Sequence, residues 1–157
     1  MAIEKVREYL KQYGREKDIR EFDASSATVE LAAEAVGVEP ARIAKTLSFC
    51  GREEGSCILV VTAWDRKVDN SKFKHFFGMK AKMPKGEEVE ALTGHAIGGV
   101  CPFANPPRTK VYLDESMKRF QTVFPAAGSA HSAIELTCQE LFQLSEAVEW
   151  VDVCKEI

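Results

Sequence analysis

The chain has 157 residues, 45% of them hydrophobic and 29% charged, with a formal net charge of −3. This length and composition are typical of one globular domain with a buried core, so we expect a single domain over residues 1–157. No apolar run approaches the roughly 18 residues that span a membrane, and no signal-peptide pattern opens the chain, so we expect a cytoplasmic protein without a membrane partner.

Apolar spacing predicts the first elements of the chain. The apolar residues of 3–13 have helical spacing, and the glycine that follows is expected to end this helix. Residues 19–22 are a short strand candidate. A second helix is predicted over 28–36, where Gly37 follows as a C-terminal cap. A short helix over 40–44 begins at a proline, which suits a first helical turn.

The middle of the chain predicts a hairpin followed by two short helices. Strands over 46–50 and 57–63 flank a glycine-containing loop. The second strand is nearly all apolar, so we expect it to be central and covered on both faces. Helices are predicted over 70–77 and 86–92.

The remainder alternates short strands and helices. Strands are predicted over 97–100, 111–113, 122–124, 133–136 and 150–154, and helices over 115–120 and 138–144. This mixture predicts a mixed α+β fold within the broad α/β class, and not a regular βαβ array.

Two features of composition bear on cofactors and partners. The five cysteines are widely spaced and none forms a C-x-x-C pair, so we expect reduced thiols, no zinc site and no other metal or cofactor. The net negative charge argues against DNA binding. A basic stretch nevertheless spans residues 66–85, and it suits either local contact with RNA or a solvated lysine-rich face. Its basic residues are Arg66, Lys67, Lys72, Lys74, Lys80, Lys82 and Lys85.

The run Gly-His-Ala-Ile-Gly-Gly at 94–99 places three glycines around His95. Gly98 and Gly99 have two interpretations: backbone N–H donors for a developing oxyanion, or a bulge within a strand. Lys45 lies just before a strand-like run, where it either holds a ligand oxygen or is a surface lysine at a helix end.

Two further segments carry candidate chemistry. Ser129, which follows Gly128, either forms a hydrogen bond to a ligand or caps a turn. His95 or His131 with Cys101 would suit a Cys/His nucleophile, but Cys101 precedes a proline in an apolar run and is expected to be buried.

Taken in order, these segments resemble the YbaK/EbsC family, the free-standing relatives of the editing domain inserted in bacterial prolyl-tRNA synthetases. The matching pieces are residues 26–33, 42–47, 94–103, 127–128 and 134–136. The resemblance implies a barrel-like mixed β-sheet surrounded by short helices. It also implies an aminoacyl-tRNA deacylase that hydrolyses the ester of a mischarged tRNA, with prolyl-tRNA synthetase as a second expected partner.

The resemblance also implies roles for individual residues. The invariant lysine of the family matches Lys45, and its backbone-donor pair matches Gly98 and Gly99, which makes these three the catalytic candidates. The substrate-binding candidates are Thr28, His95, Gly128 and Ser129. Where some relatives have tyrosine, this chain has His95.

An aminoacyl ester is already activated, so positioning and oxyanion stabilisation can suffice without a nucleophilic side chain. The attacking group is then water or a nucleophile of the substrate, either a cysteinyl thiol or the ribose 2′-OH. The expected amino acid is small, such as cysteine, alanine or serine, and tRNA-Pro is the expected carrier. Phosphate contacts would come from Arg66, Lys67, Lys72 and Lys74. The alternative is a non-catalytic module of the same fold that binds tRNA or a synthetase.

Overall fold

The computed structural model describes residues 2–22, 33–34 and 36–157. Its centre is a six-stranded mixed sheet that curls into half a barrel. The strands of this sheet are β2 (Ile43–Cys50), β3 (Cys57–Ala63), β5 (Thr109–Asp114), β6 (Thr122–Pro125), β8 (Leu136–Thr137) and β9 (Glu149–Val151). They lie in the order β8-β6-β2-β3-β5-β9. Helices and 3-10 turns cover the sheet, which confirms the mixed α+β prediction.

The predicted hairpin is the core of the sheet. β2 and β3 pair antiparallel over seven residue pairs, from Ala44 with Ala63 to Cys50 with Cys57. All seven residues of β3 are buried, and β3 lies between β2 and β5. Leu59 belongs to the hydrophobic cluster on one face of the sheet and Val60 to the cluster on the other. The central position predicted for this strand is therefore confirmed.

Two small antiparallel sheets flank the main one. β1 (Ile19–Glu21) pairs with β7 (Ser132–Ile134), and β4 (Arg66–Val68) pairs with β10 (Cys154–Glu156). Both join segments that are far apart in the sequence. The first brings the chain before Phe22 beside residues 132–134, and the second ties the chain after β3 to residues 154–156.

The α-helices with defined bounds are α1 (Ala2–Lys11), α2 (Asn70–Phe77), α3 (Val89–Thr93) and α4 (Cys138–Leu144). Residues 33, 34 and 36 are also helical. Short 3-10 turns cover Glu16–Asp18, Pro40–Arg42, Gly86–Glu88 and Glu115–Arg119. Helix α2 begins where the Asp69 carboxylate accepts the Lys72 N–H at 3.1 Å, and it ends at Gly78, which has a φ of 72°. These two caps explain why its predicted bounds match the observed ones.

Several predicted elements differ from the structure. Residues 97–100 do not form a strand: 97 and 98 lie in a turn, and 99 and 100 have no regular structure. The predicted strand over 150–154 is divided between β9 and β10, which belong to different sheets, and β7 and β8 divide the one predicted over 133–136. The helix predicted over 40–44 is only a 3-10 turn, since β2 already begins at Ile43.

The helix predicted over 28–36 lies largely outside the described residues. Strand β4 (Arg66–Val68) was not predicted. Its residues are polar or only partly buried, so no apolar alternation marks it in the sequence.

Candidate active site

A cavity of about 680 Å³ opens beside the free edge of β2. Strand β6 pairs with β2 only at Ile43 and Ala44, so the edge of β2 beyond Ala44 has no neighbouring strand on that side among the described residues. The residues around the cavity are mostly apolar. They are Phe22, Ile43, Ala44, Lys45, Thr46, Leu47, Ser48, Trp64, Met83, Pro84, Gly86, Val89, Ile97, Gly98, Val100, Phe124, Ala126, Ser129, Ala130, Ser132 and Ala133.

The edge of β2 supplies backbone groups to the cavity. Cys50 donates its N–H to the Lys82 carbonyl oxygen at 2.7 Å, away from β3. Because alternate residues of an antiparallel strand point their N–H and C=O the same way, Thr46 and Ser48 also direct theirs away from β3. The Thr46 Oγ1 atom is buried and has no hydrogen-bond partner among the described residues. The cavity therefore has polar groups available to a ligand along one wall.

Lys45 lies within β2 at the mouth of the cavity. Its Nζ donates to the Trp64 carbonyl oxygen at 3.3 Å and lies 5.5 Å from the centre of the indole ring. Partial burial lowers the pKa of Lys45 from its ordinary value, while Cys154 and Asp65 act in the opposite direction. The turn after β3 thus holds the amino group where a ligand oxygen can reach it.

Gly98 and Gly99 have different positions and different roles in the local structure. Gly98 lines the cavity with a φ of 92°, and its N–H has no backbone acceptor within the described part of the chain. The Gly99 N–H instead donates to the Ala96 carbonyl oxygen at 2.9 Å. Of the predicted pair, only Gly98 has a donor available in this conformation.

Gly99 brings two loops into contact. A Cβ at this position would lie 3.1 Å from both the Gly128 carbonyl oxygen and the Ser129 Cα. Glycine therefore permits the loop of residues 94–99 to pack directly on the backbone of Gly128 and Ser129. This contact explains how two segments that are distant in sequence border one cavity.

Ser129 faces the cavity and also organises its own loop. Its hydroxyl donates to Ser132 Oγ at 2.9 Å and accepts the His131 N–H at 3.2 Å. Gly128 is buried behind it with a φ of 102° and does not line the cavity. Lys45, Gly98 and Ser129 are thus brought together by the fold.

His95 and Cys101 are neighbours, but they lie away from the cavity. Both are fully buried, and the Cys101 Sγ is 3.4 Å from His95 Nε2. Since a carbonyl oxygen only accepts, His95 Nε2 must carry the proton that it donates to the Phe103 oxygen at 2.7 Å. Burial lowers the pKa of His95 and raises that of Cys101 to about 12. The pair is neutral and enclosed, which is the opposite of what a thiolate nucleophile needs.

This position gives no support to a direct contact between His95 and substrate. The buried ring instead stabilises the loop of residues 94–103 through its hydrogen bond to the Phe103 oxygen. Thr28, the remaining substrate-binding candidate, lies outside the described residues.

The four basic residues predicted to contact RNA lie off the cavity, and two of them are paired. Arg66 contacts Asp65 at 3.2 Å, and Lys72 contacts Asp152 at 3.0 Å. Lys67 and Lys74 are exposed and have no ion pair among the described residues. Only these last two are free to meet a phosphate without first leaving a carboxylate.

The residues that sequence analysis missed form the rim of the cavity. Trp64, Met83 and Ile97 are large apolar side chains with exposed fractions of 36%, 61% and 70%. An exposed tryptophan in the turn after an apolar strand was the available signal, but an isolated exposed apolar residue is common on protein surfaces.

Two structural absences apply to the described residues. In that part of the chain, no group of three His, Cys, Asp or Glu side chains could hold a metal ion. None of the helices described there is long and apolar enough to cross a membrane.

Comparison with known proteins gives a consistent result. Residues 23–144 match the model of the aminoacyl-tRNA editing domain. The chain is 54% identical over 156 residues to "Uncharacterized protein YwhH" of Bacillus subtilis, covering 99% of each chain. It is 29% identical over 119 residues to "Putative Cys-tRNA(Pro)/Cys-tRNA(Cys) deacylase EbsC" of Enterococcus faecalis, covering 75% of this chain and 72% of that protein.

A solved structure has the same fold. The "Crystal structure of a putative trans-editing enzyme for prolyl tRNA synthetase" superimposes with a TM-score of 0.88 at 31% identity, covering 98% of this chain and 97% of the other. The similarity therefore extends over the whole architecture described above.

Proposed function

Since this chain belongs to the aminoacyl-tRNA editing domain family, we propose that it hydrolyses the ester of a small amino acid, such as cysteine, alanine or serine, on a mischarged tRNA, with tRNA-Pro as the expected carrier. The observation that carries the proposal is the meeting of Lys45, Gly98 and Ser129 at one cavity. The names of two relatives, "Putative Cys-tRNA(Pro)/Cys-tRNA(Cys) deacylase EbsC" and "putative trans-editing enzyme for prolyl tRNA synthetase", support the reaction class, and both refer to tRNA-Pro or its synthetase.

The reaction has a physical rationale. A synthetase pocket separates amino acids that differ by one methylene by only about 1–3 kcal/mol, so small amino acids are misattached and a second, hydrolytic site is useful. An editing domain separate from the synthetase provides such a site for charged tRNA that the synthetase has released.

The proposed chemistry relies on backbone groups. Water, or a nucleophile of the substrate, attacks the ester carbonyl carbon, and the negative charge develops on the carbonyl oxygen. The free N–H of Gly98 stabilises that oxyanion, an interaction worth about 10²–10³ in rate for a well-placed donor. The bond between the carbonyl carbon and the ribose oxygen then breaks. The ribose oxygen takes a proton, and with water as the attacking group the products are the free amino acid and the uncharged tRNA.

Lys45 supplies the positive charge of the proposed site. Its ammonium either holds the phosphate of the terminal adenosine or lies beside the ester carbonyl, since it is held at the mouth of the cavity by the Trp64 carbonyl oxygen. In both positions it contacts the substrate directly. The enclosed Cys101 thiol has no part in this mechanism, because burial keeps it protonated at neutral pH.

The test is a deacylation assay with tRNA-Pro charged separately with cysteine, alanine and serine. We expect at least one of these esters to be hydrolysed faster than in buffer, and Lys45→Ala to lower kcat/KM by about 10²-fold or more. Lys17→Ala, which removes an exposed lysine of a 3-10 turn, is the matched control and should leave kcat/KM unchanged.

Three outcomes would contradict the proposal or a part of it. Failure of micromolar enzyme to hydrolyse any of the three esters would exclude these substrates, and tight binding of charged tRNA without hydrolysis would favour the binding module. Equal turnover by Lys45→Ala and the unsubstituted protein would refute the role given to Lys45.

A further inference from the structure

The rim of the cavity carries large apolar side chains that are exposed to solvent. Six large hydrophobic side chains are exposed in the described part of the chain, and three of them, Trp64, Met83 and Ile97, border this one cavity. Clustered exposed apolar groups mark a surface that a ligand covers. Trp64 is the one aromatic ring among these three.

A positive charge lies next to this ring. The Lys45 ammonium is 5.5 Å from the centre of the indole and donates to the carbonyl oxygen of the same tryptophan. A flat π surface beside a cation is the combination that binds a nucleotide, in which a planar base is joined to a phosphate. A purely apolar ligand would leave this charge without an anionic partner.

The turn that carries the ring is braced on both sides. The Asp65 carboxylate accepts two hydrogen bonds from Arg119, at 3.0 and 2.7 Å, and its carbonyl oxygen accepts the Ile157 N–H at 3.3 Å. Arg66 also contacts Asp65 at 3.2 Å. A bidentate guanidinium pair fixes both the position and the orientation of the Asp65 carboxylate, so the backbone turn that carries Trp64 is ordered before any ligand arrives.

We propose that the exposed indole of Trp64 is the stacking surface for the terminal base of the aminoacyl-tRNA, an adenine, while Lys45 contacts the adjoining phosphate or ester. The inference rests on the proposed function for the identity of its ligand. Stacking requires only the π face of a base, so the contact positions the acceptor end without reading the sequence of the tRNA. It places the ester over the cavity, where the Gly98 N–H is available.

The test uses adenosine 5′-monophosphate (AMP), which carries the base and phosphate but no ester. Its Kd is measured by calorimetry for the unsubstituted protein and for the variants Trp64→Leu and Trp64→Phe. We expect Trp64→Leu to weaken AMP binding by roughly 5- to 150-fold, the range measured when a stacking ring is removed, and Trp64→Phe to retain most of the affinity.

Two controls isolate the base and the ring. Ribose 5-phosphate, which lacks the base, should bind more weakly than AMP and should not respond to Trp64→Leu. Phe76→Leu removes another exposed aromatic, with an exposed fraction of 42% against 36% for Trp64, from outside the cavity lining and should leave the Kd for AMP unchanged.

A second measurement keeps Trp64 intact. The chain has two tryptophans, so Trp150→Phe leaves Trp64 as the only one. We expect AMP to quench its fluorescence. Absence of quenching, equal binding of AMP and ribose 5-phosphate, or an unchanged Kd in Trp64→Leu would each overturn the proposal.

The AMP measurements also separate this inference from the proposed function. Loss of AMP binding in Trp64→Leu, in a protein that hydrolyses none of the charged tRNAs, would support the stacking surface and contradict the deacylase. Hydrolysis of a charged tRNA with the same kcat/KM in Trp64→Leu and in the unsubstituted protein would support the deacylase and contradict the stacking surface.

Discussion

The contact of Gly99 with the loop of residues 128–129 gives the sharpest test of how the site is assembled. In Gly99→Ala the added methyl group would lie 3.1 Å from the Gly128 carbonyl oxygen and 3.1 Å from the Ser129 Cα. Both are backbone atoms, so no side-chain rotation can relieve the contact. The two loops must instead separate by a few tenths of an ångström.

The expected magnitudes follow from this displacement. Overpacking of a well-fitted contact costs about 1–3 kcal/mol in the free energy of unfolding. For a chain of this length that corresponds to a fall in Tm of roughly 2–12 °C. A misplacement of 1 Å at a reacting centre costs about 10²-fold, so a shift of about 0.3 Å should lower kcat/KM about fourfold if the loss scales with distance.

The assay compares Gly99→Ala with Gly14→Ala for Tm and for kcat/KM on a charged tRNA. Gly14 follows helix α1 and has a φ of 70°, and a methyl group added there would meet no atom within 4 Å. Alanine at this position therefore costs about 1–2 kcal/mol of backbone strain without moving the loops. We expect both variants to lose stability and only Gly99→Ala to lose activity. Equal kcat/KM in the two variants would show that the loop contact does not set the geometry of the site.

Two further predictions concern ionisation. Burial lowers the pKa of Lys45, whereas the hydrogen bond to Asp152 raises the pKa of Lys72. In an NMR titration of the lysine ε-methylene signals, Lys45 should therefore lose its proton at a lower pH than Lys72. The reverse order would contradict the desolvation argument. Cys101→Ser should lower stability by about 1 kcal/mol and leave kcat/KM within about twofold, because the enclosed thiol is not a nucleophile; a loss above 100-fold with an unchanged Tm would restore the Cys/His hydrolase.

Sequence predicted the elements whose ends are marked by local chemistry. Helix α2 has an Asp69 cap and a Gly78 stop, and β3 is a continuous apolar run, so both were placed correctly. The predicted strand over 97–100 failed because four residues that include two glycines do not define an element. The left-handed φ of Gly98, 92°, turns the chain there.

Three of the candidate site residues, Lys45, Gly98 and Ser129, line one cavity. Their catalytic and binding roles stay predictions. The inward position of His95 was not predictable, since a histidine between glycines has the same local sequence whether its ring points to a ligand or to the Phe103 oxygen. Trp64 was missed because its contact with Lys45 depends on the pairing of β2 with β3, which is a tertiary feature.

The pairing of β4 with β10 has a consequence for the biogenesis of the protein. Trp64 lies in the turn just before β4. This turn is stabilised by the pairing of β4 with a strand at Cys154–Glu156, more than eighty positions later. A nascent chain that lacks β10 can form the β2–β3 hairpin by local pairing, but it cannot complete the turn beside Lys45. Long-range pairings of this kind form late, because loop closure must precede them. We therefore expect the turn that carries Trp64 to be completed late in folding, after residues 154–156 have been synthesised.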